Sequence, residues 1–251
     1  MTTQIPWDDG SGDKIYLTYS GTDGNQNVAV SSDPNTGNNS RTKDITFSVV
    51  SGGPVSKTLT VQQDGKPYDS KVEYIATNAD AYIDLGIKCN AATDAIYVDF
   101  QATTEVKQAR LIACNATNSP CQIYVNGSLG YGFRQGSSWA AVPVGSTVGL
   151  TRHTWLCDYY NKVNVVDGVS YNMSAASTGT GTSNWFLAGP YTNNNRYKGR
   201  IYAAKIYRSG ELIMDLIPVR VGTTAYMYDK IGKQLLGNAG TNAFTYGNDV
   251  T

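Results

Sequence analysis

Apolar residues in this chain recur at every second position over short stretches. Polar runs rich in glycine, asparagine and serine separate those stretches. Ile45, Phe47 and Val49 alternate with Thr46 and Ser48, and Leu59 and Val61 alternate with Thr60 and Gln62. A period of two sends one set of side chains into a core and the other into water, the mark of a half-buried strand. Residues 1–65 hold four such runs, at 13–20, 27–32, 43–50 and 57–63. Residues 72–251 hold ten more, from "AYIDLGI" at 81–87 to "ELIMDLIPVRV" at 211–221. Asp167-Gly168 and Ser209-Gly210 sit between paired runs, where a tight hairpin needs a residue with positive φ. No segment sustains a helical period. The pattern predicts an all-β chain of two sandwiches: a small one over 1–65, a short polar linker "KPYDSK" over 66–71, and a large one over 72–251.

Composition agrees. The chain is 41% hydrophobic, enough for a core, and its 26 glycines and 18 tyrosines suit short strands with tight turns. Twenty basic and twenty acidic residues give a formal net charge of zero, without the basic stripe of a nucleic-acid binder. No apolar run reaches the roughly 18 residues of a membrane span, so membrane insertion is not expected. The opening residues lack the basic and apolar regions of a signal peptide, which points to synthesis in the cytoplasm. On that basis Cys89, Cys114, Cys121 and Cys157 are expected as buried free thiols; a bridge between Cys114 and Cys121 across "NATNSP" is the alternative. Their spacing does not fit zinc, and neither metal nor cofactor is expected.

Two sets of residues resemble known modules. Asn35-Thr36-Gly37, Arg41, Ile45 to Phe47 and "LTVQQDG" at 59–65 resemble a BACON domain, a small immunoglobulin-like sandwich of gut Bacteroidetes proteins and their phages. "PWDDGSGDKIYLTYS" at 6–20 resembles the leader of such modules in virion proteins of crAss-like gut bacteriophages. "YIATNADAYIDLGIK", "RHTWLCDYYNKVNVVDGVSYN", "GRIYAAKIYRSGELIMDLIPVR" and "YMYDKIGKQLLGNAGT" resemble a laminin-G-like, concanavalin A-like jelly roll over nearly all of 72–251. These resemblances imply an Ig-like sandwich followed by a jelly roll, and a role in binding and assembly. One fold of this kind hosts lectins, adhesins and scaffolds alike.

Catalysis finds little support in the residues. Glycoside hydrolysis needs two carboxylates flanking the bond. The chain has only Glu73, Glu105 and Glu211, far apart, and its aspartates cluster at turns. His153 and Cys157 are four residues apart on one predicted strand, about 13 Å by strand rise, too far to act together. Asp84 and Asp94 are the nearest to calcium ligands, without a ligand-loop spacing. The non-enzymatic chemistry with most support is sugar binding. "CDYYN" and "SNWFLAGPYTNNNR" combine aromatic faces with amides, naming Tyr159, Tyr160, Trp185, Tyr191 and Asn193 as glycan-contacting candidates. Core packing is the competing role for each aromatic. Ile5 and Trp7, ahead of the first clear strand, are expected to anchor the chain in a partner.

The expectation is therefore a non-enzymatic bacteriophage virion protein, a fibre or a capsid or tail decoration. Its partners would be other virion proteins, copies of itself, a trimer first, and host or mucus glycans. The alternative is a secreted or surface carbohydrate-binding protein of a gut bacterium.

Overall fold

The computed structural model describes residues 1–20, 27–49, 55–77, 80–90, 92–104, 109–114, 121–126, 130–135, 138–142, 150–173, 180–189 and 197–250. Tyr191 and Asn193 lie outside them. Among the described residues every regular element is a strand. The chain divides into two units, Met1–Asp69 and Ser70–Thr251.

In the first unit β1 (Thr2–Pro6), β2 (Lys14–Ser20) and β3 (Asn27–Ser32) form one antiparallel sheet, and β4 (Arg41–Val49) with β5 (Val55–Gln63) forms a second. Trp7, Ile15, Leu17 and Ile45 make the core between them, with Ile5, Tyr19, Val28, Phe47 and Val61 packed around it. Ile45 and Phe47 thus point inward, as their alternation predicts. β1 is a strand the pattern did not reveal. It pairs with β2 from Thr2 opposite Thr18 to Pro6 opposite Lys14. Ile5 and Trp7 therefore belong to this unit's own core, with Trp7 only 4% exposed. That corrects their assignment as an anchor for a partner: a ring already buried at home has no face left to insert elsewhere.

The expected linker is also corrected. Lys66 N donates to Gly37 O (2.7 Å) and Asn38 Nδ2 to Asp69 Oδ1 (2.7 Å), so residues 66–69 are tied into the first unit. Ser70 and Lys71 begin a strand of the second.

The strands of the second unit run β6 (Ser70–Val72), β7 (Ile75–Thr77), β8 (Ile83–Asn90), β9 (Asp94–Ala102), β10 (Ala109–Cys114), β11 (Cys121–Asn126), β12 (Gly130–Gln135) and β13 (Ser138–Val142). They continue with β14 (Arg152–Asp158), β15 (Val163–Val166), β16 (Val169–Asn172), β17 (Thr180–Leu187), β18 (Gly199–Arg208), β19 (Glu211–Val221) and β20 (Thr224–Asp229). The last three are β21 (Gln234–Leu236), β22 (Thr245–Tyr246) and β23 (Asp249–Val250). Six strands form a sheet in the order β13-β12-β11-β10-β17-β8. Twelve form the other, along β16-β15-β14-β9-β18-β19-β20-β21, with β6, β7, β22 and β23 paired off this path. Leu85, Leu111, Trp185 and Leu187 from the smaller sheet meet Val98, Phe100, Trp155, Ile201 and Met214 from the larger in one core. Two antiparallel sheets closing on one core make a β-sandwich. The two turns named by their dipeptides are present: Asp167 and Gly168 have φ of 48° and 82°, and Ser209 and Gly210 have 52° and 85°.

The cysteines depart from expectation. Cys89 and Cys114 form a disulfide, their Cα atoms 6.4 Å apart, tying β8 to β10 within the smaller sheet. Cys157 is a free thiol, and it is buried. Alternation alone did not show that β8 and β10 are brought together, because both are placed by their pairing with β17.

Candidate functional site

The outer face of the larger sheet, turned away from the core, carries the site. On β9, Ile96, Val98 and Phe100 point inward, so Tyr97, Asp99 and Gln101 point outward. β14 lies beside it with Arg152 opposite Gln101, and β18 on the other side with Arg200 opposite Gln101. On β18 the register slips between Ile201 and Ala203, which stand opposite Phe100 and Asp99. Tyr202 is thus the extra residue of a β-bulge, a device that re-aims a side chain.

These groups form a continuous ladder. Arg152 donates from Nε and Nη2 to the Asp99 carboxylate at 2.7 and 2.6 Å. Its guanidinium lies 3.8 Å from the centre of the Tyr202 ring. Tyr202 meets Tyr74 edge-on at 5.5 Å, and the Arg200 guanidinium lies 4.4 Å above Tyr74. Gln101 closes the ladder, its Oε1 accepting from Tyr202 Oη at 2.8 Å and from Arg200 Nη1 at 3.4 Å. The hydrogen bond to Asp99 holds the Arg152 pKa above its ordinary value, and a hydrogen bond with Tyr202 does the same for Arg200. Burial, reinforced by the Asp99 charge, raises the Tyr97 phenol. The ladder floors an open groove of about 560 Å³, whose walls include Lys71, Glu73, Ile217 and Val250. Flat rings, fixed guanidinium forks and an amide on an open face can stack on a sugar ring and bond its hydroxyls.

A second depression of about 180 Å³ lies at the other end of the same face, lined by Ala95, Leu156, Asp158, Tyr160, Asn161 and Tyr207. Ala95 and Gln101 are six residues apart on β9, so the two hollows lie about 20 Å apart along the strand. Tyr97 stands between them.

The candidates named from the sequence separate here. Tyr160 is 47% exposed and lines the second depression. Tyr159 and Trp185 are 2% and 0% exposed, which removes both as sugar platforms. Trp185 points inward from β17, and its indole nitrogen donates to Asp94 Oδ2 at 2.9 Å. Asp94 is fully buried; it also accepts from Arg208 Nε (2.9 Å) and from the Asn90 amide (2.8 Å), so its oxygens are taken. Asp84 is engaged by Asn184 and by the Gly86 amide. Among the described residues no group of three or more His, Cys, Asp or Glu could hold a metal ion.

His153 does not meet Cys157. Its Nδ1 lies 2.7 Å from Asp167 Oδ2 and its Nε2 lies 3.0 Å from Thr151 Oγ1, so it braces the β15–β16 turn. Burial would raise the Asp167 carboxyl, but hydrogen bonds from His153 and the Thr154 amide hold it below its ordinary value. Burial pushes the Cys157 thiol far upward, leaving it protonated.

Sequence reasoning missed Tyr74, Arg152, Arg200 and Tyr202. The signal was present: in "GRIYAAKIYR" Arg200 and Tyr202 alternate with the inward Ile201, and in "LTRHTWLCD" Arg152 leads a strand whose Trp155 and Cys157 point inward.

No protein-family model and no curated protein sequence matches the chain. Among solved structures it is similar to a "putative carbohydrate binding protein" from Bacteroides ovatus, with 10% identity and a TM-score of 0.49 over 99% of this chain and 82% of that one. It is also similar to the heptameric SAP-like pentraxin of Limulus polyphemus, with 10% identity and a TM-score of 0.38 over 58% of this chain and 77% of that one.

Proposed function

We propose that the chain is a non-enzymatic glycan-binding protein that holds an extended sugar chain on the outer face of its larger sheet. The observation that carries this reading is the ladder of Arg152, Tyr202, Tyr74 and Arg200 on an open face, with a second aromatic hollow at Tyr160 along the same strands. An open groove across a sheet suits a polymer better than a small molecule, which needs enclosure. Two carboxylates of the sheet are held by cations, Asp99 by Arg152 and Asp215 by Lys230 at 2.5 Å, and the groove itself is lined by the single carboxylate of Glu73, which supports a binding role over a hydrolysis that uses a pair.

The Cys89–Cys114 bridge favours a working place outside the reducing cytoplasm. A virion surface meets that condition, as the resemblance to phage fibre and decoration modules implies. A secreted or surface protein of a gut bacterium meets it equally. Shallow sites of this kind bind weakly one at a time, and display in many copies raises the effective affinity.

The test is binding of tetramerised full-length chain to a polysaccharide panel. Tyr74→Ala and Tyr202→Ala are expected to abolish binding while melting as the parent does. Retained binding in both variants would overturn the reading. Mass spectrometry of purified gut phage particles separates the two settings, with peptides of this chain expected among the virion proteins.

A further inference from the structure

We infer that the groove at Arg200 selects an acidic polysaccharide, one whose rings carry carboxylates; the inference rests on the glycan reading above. Three cations line the groove, Lys71, Arg152 and Arg200, against the single carboxylate of Glu73. Arg152 is spent on Asp99, which takes both of its parallel donors. Arg200 and Lys71 make no ion pair among the described residues. Arg200 lies over Tyr74, hydrogen-bonds to Tyr202 and reaches Gln101 only at 3.4 Å, so of its five N–H donors those not turned to Tyr202 and Gln101 remain for a ligand. Glu73 accepts from the Asn248 amide at 3.4 Å. The groove therefore keeps one uncompensated positive charge on a chain whose formal net charge is zero.

The geometry favours a carboxylate. A guanidinium immobilised on a ring presents a planar fork that matches a carboxylate with two parallel hydrogen bonds. Lys71 supplies a point charge without directional demand. Arg152, neutralised and stacked on Tyr202, acts as a positioning residue that holds the ring against which the sugar lies. Gln101 Oε1 accepts from both Tyr202 and Arg200 and so fixes the distance between ring and fork.

The experiment measures binding of streptavidin-tetramerised full-length chain to immobilised polygalacturonate, dextran sulfate and neutral dextran, at low and at physiological salt. Polygalacturonate is expected to bind at least tenfold more tightly than dextran, with the preference shrinking as salt rises. Arg200→Gln is expected to lower polygalacturonate binding about tenfold, the loss of one charge-assisted pair, and to lower dextran binding by less, so that the preference between the two shrinks. Lys71→Gln, at an exposed position, is expected to lower polygalacturonate binding less and serves as the second variant should Arg200→Gln fail to fold. Binding to dextran equal to or above that to polygalacturonate would overturn the acidic selection while leaving the glycan reading standing. Preference for dextran sulfate, which carries sulfates and no carboxylates, over polygalacturonate would overturn the carboxylate assignment. Binding to none of the three would sink both.

Discussion

Trp185 and Tyr160 sit in similar stretches of aromatic and amide residues, yet one is sealed in the core and the other faces water. Removing each should separate the roles. Trp185→Ala deletes a buried indole and leaves Asp94 short of a donor, so it should cost about 3–5 kcal/mol in chemical denaturation. Tyr160→Ala should stay within about 0.5 kcal/mol of the parent, because an exposed side chain has little to lose. Local composition could not tell these apart, since stacking platforms and cores use the same rings. Alternation could: Trp185 and Leu187 share the inward parity of β17. Arg41 teaches the same lesson in the first unit. Its Nη1 donates to Asp9 (3.0 Å), Ser11 (3.2 Å) and Asp13 (2.8 Å), its Nη2 to Asp33 O (2.9 Å), and it lies 4.5 Å from the Trp7 ring. Arg41→Met should therefore destabilise this small unit by about 2–3 kcal/mol, the worth of hydrogen bonds to charged groups. Hydrogen bonds from Ser11 and then Arg41 hold the Asp9 carboxyl down at about 2. A carboxyl depressed in the folded state gives its full stabilisation above its unfolded value near 3.8 and loses it as pH falls toward 2. Acid titration followed by tryptophan emission should show the first unit loosening across that window in the parent, and a flatter acid limb in Ser11→Ala.

Among the elements, strands with clean alternation or dipeptide turns were legible: β2 to β5, β9, β18, β19 and the hairpins at Gly168 and Gly210. β1 was not, because "TTQIP" has one large apolar residue and ends in proline, and only its ladder with β2 makes it a strand. β6, β7, β22 and β23 are two or three residues each, too short to show any period. The groove takes Lys71 and Val250 from two of these, which is why those residues could not be gathered with Arg152 and Arg200 from alternation alone. The disulfide is likewise a matter of strand order. It closes a loop of 25 residues, for which chain entropy predicts about 3–4 kcal/mol. Cys89→Ser should lower the stability of the second unit by that order in calorimetry, and a reducing agent should do the same to the parent and nothing to the variant.

At the scale of the molecule, the second unit begins and ends at one place. β6 pairs with β23, Lys71 opposite Val250 and Val72 opposite Asp249, and β7 pairs with β22. Arg220 of β19 reinforces the junction, donating to both oxygens of Asp249 at 2.7 and 2.5 Å. The chain's entry and exit therefore lie at the same end of one antiparallel ladder. Tension applied between residues 70 and 250 loads those hydrogen bonds one after another, as a zip, instead of all together in shear. A single-molecule pull across these points should show β23 and β22 peeling away at low force, ahead of the main rupture of the sandwich. Lys71 and Val250 are walls of the groove. A polymer bound there would be released as the clasp opens, so grip on the sugar and mechanical load on the chain would draw on the same few bonds.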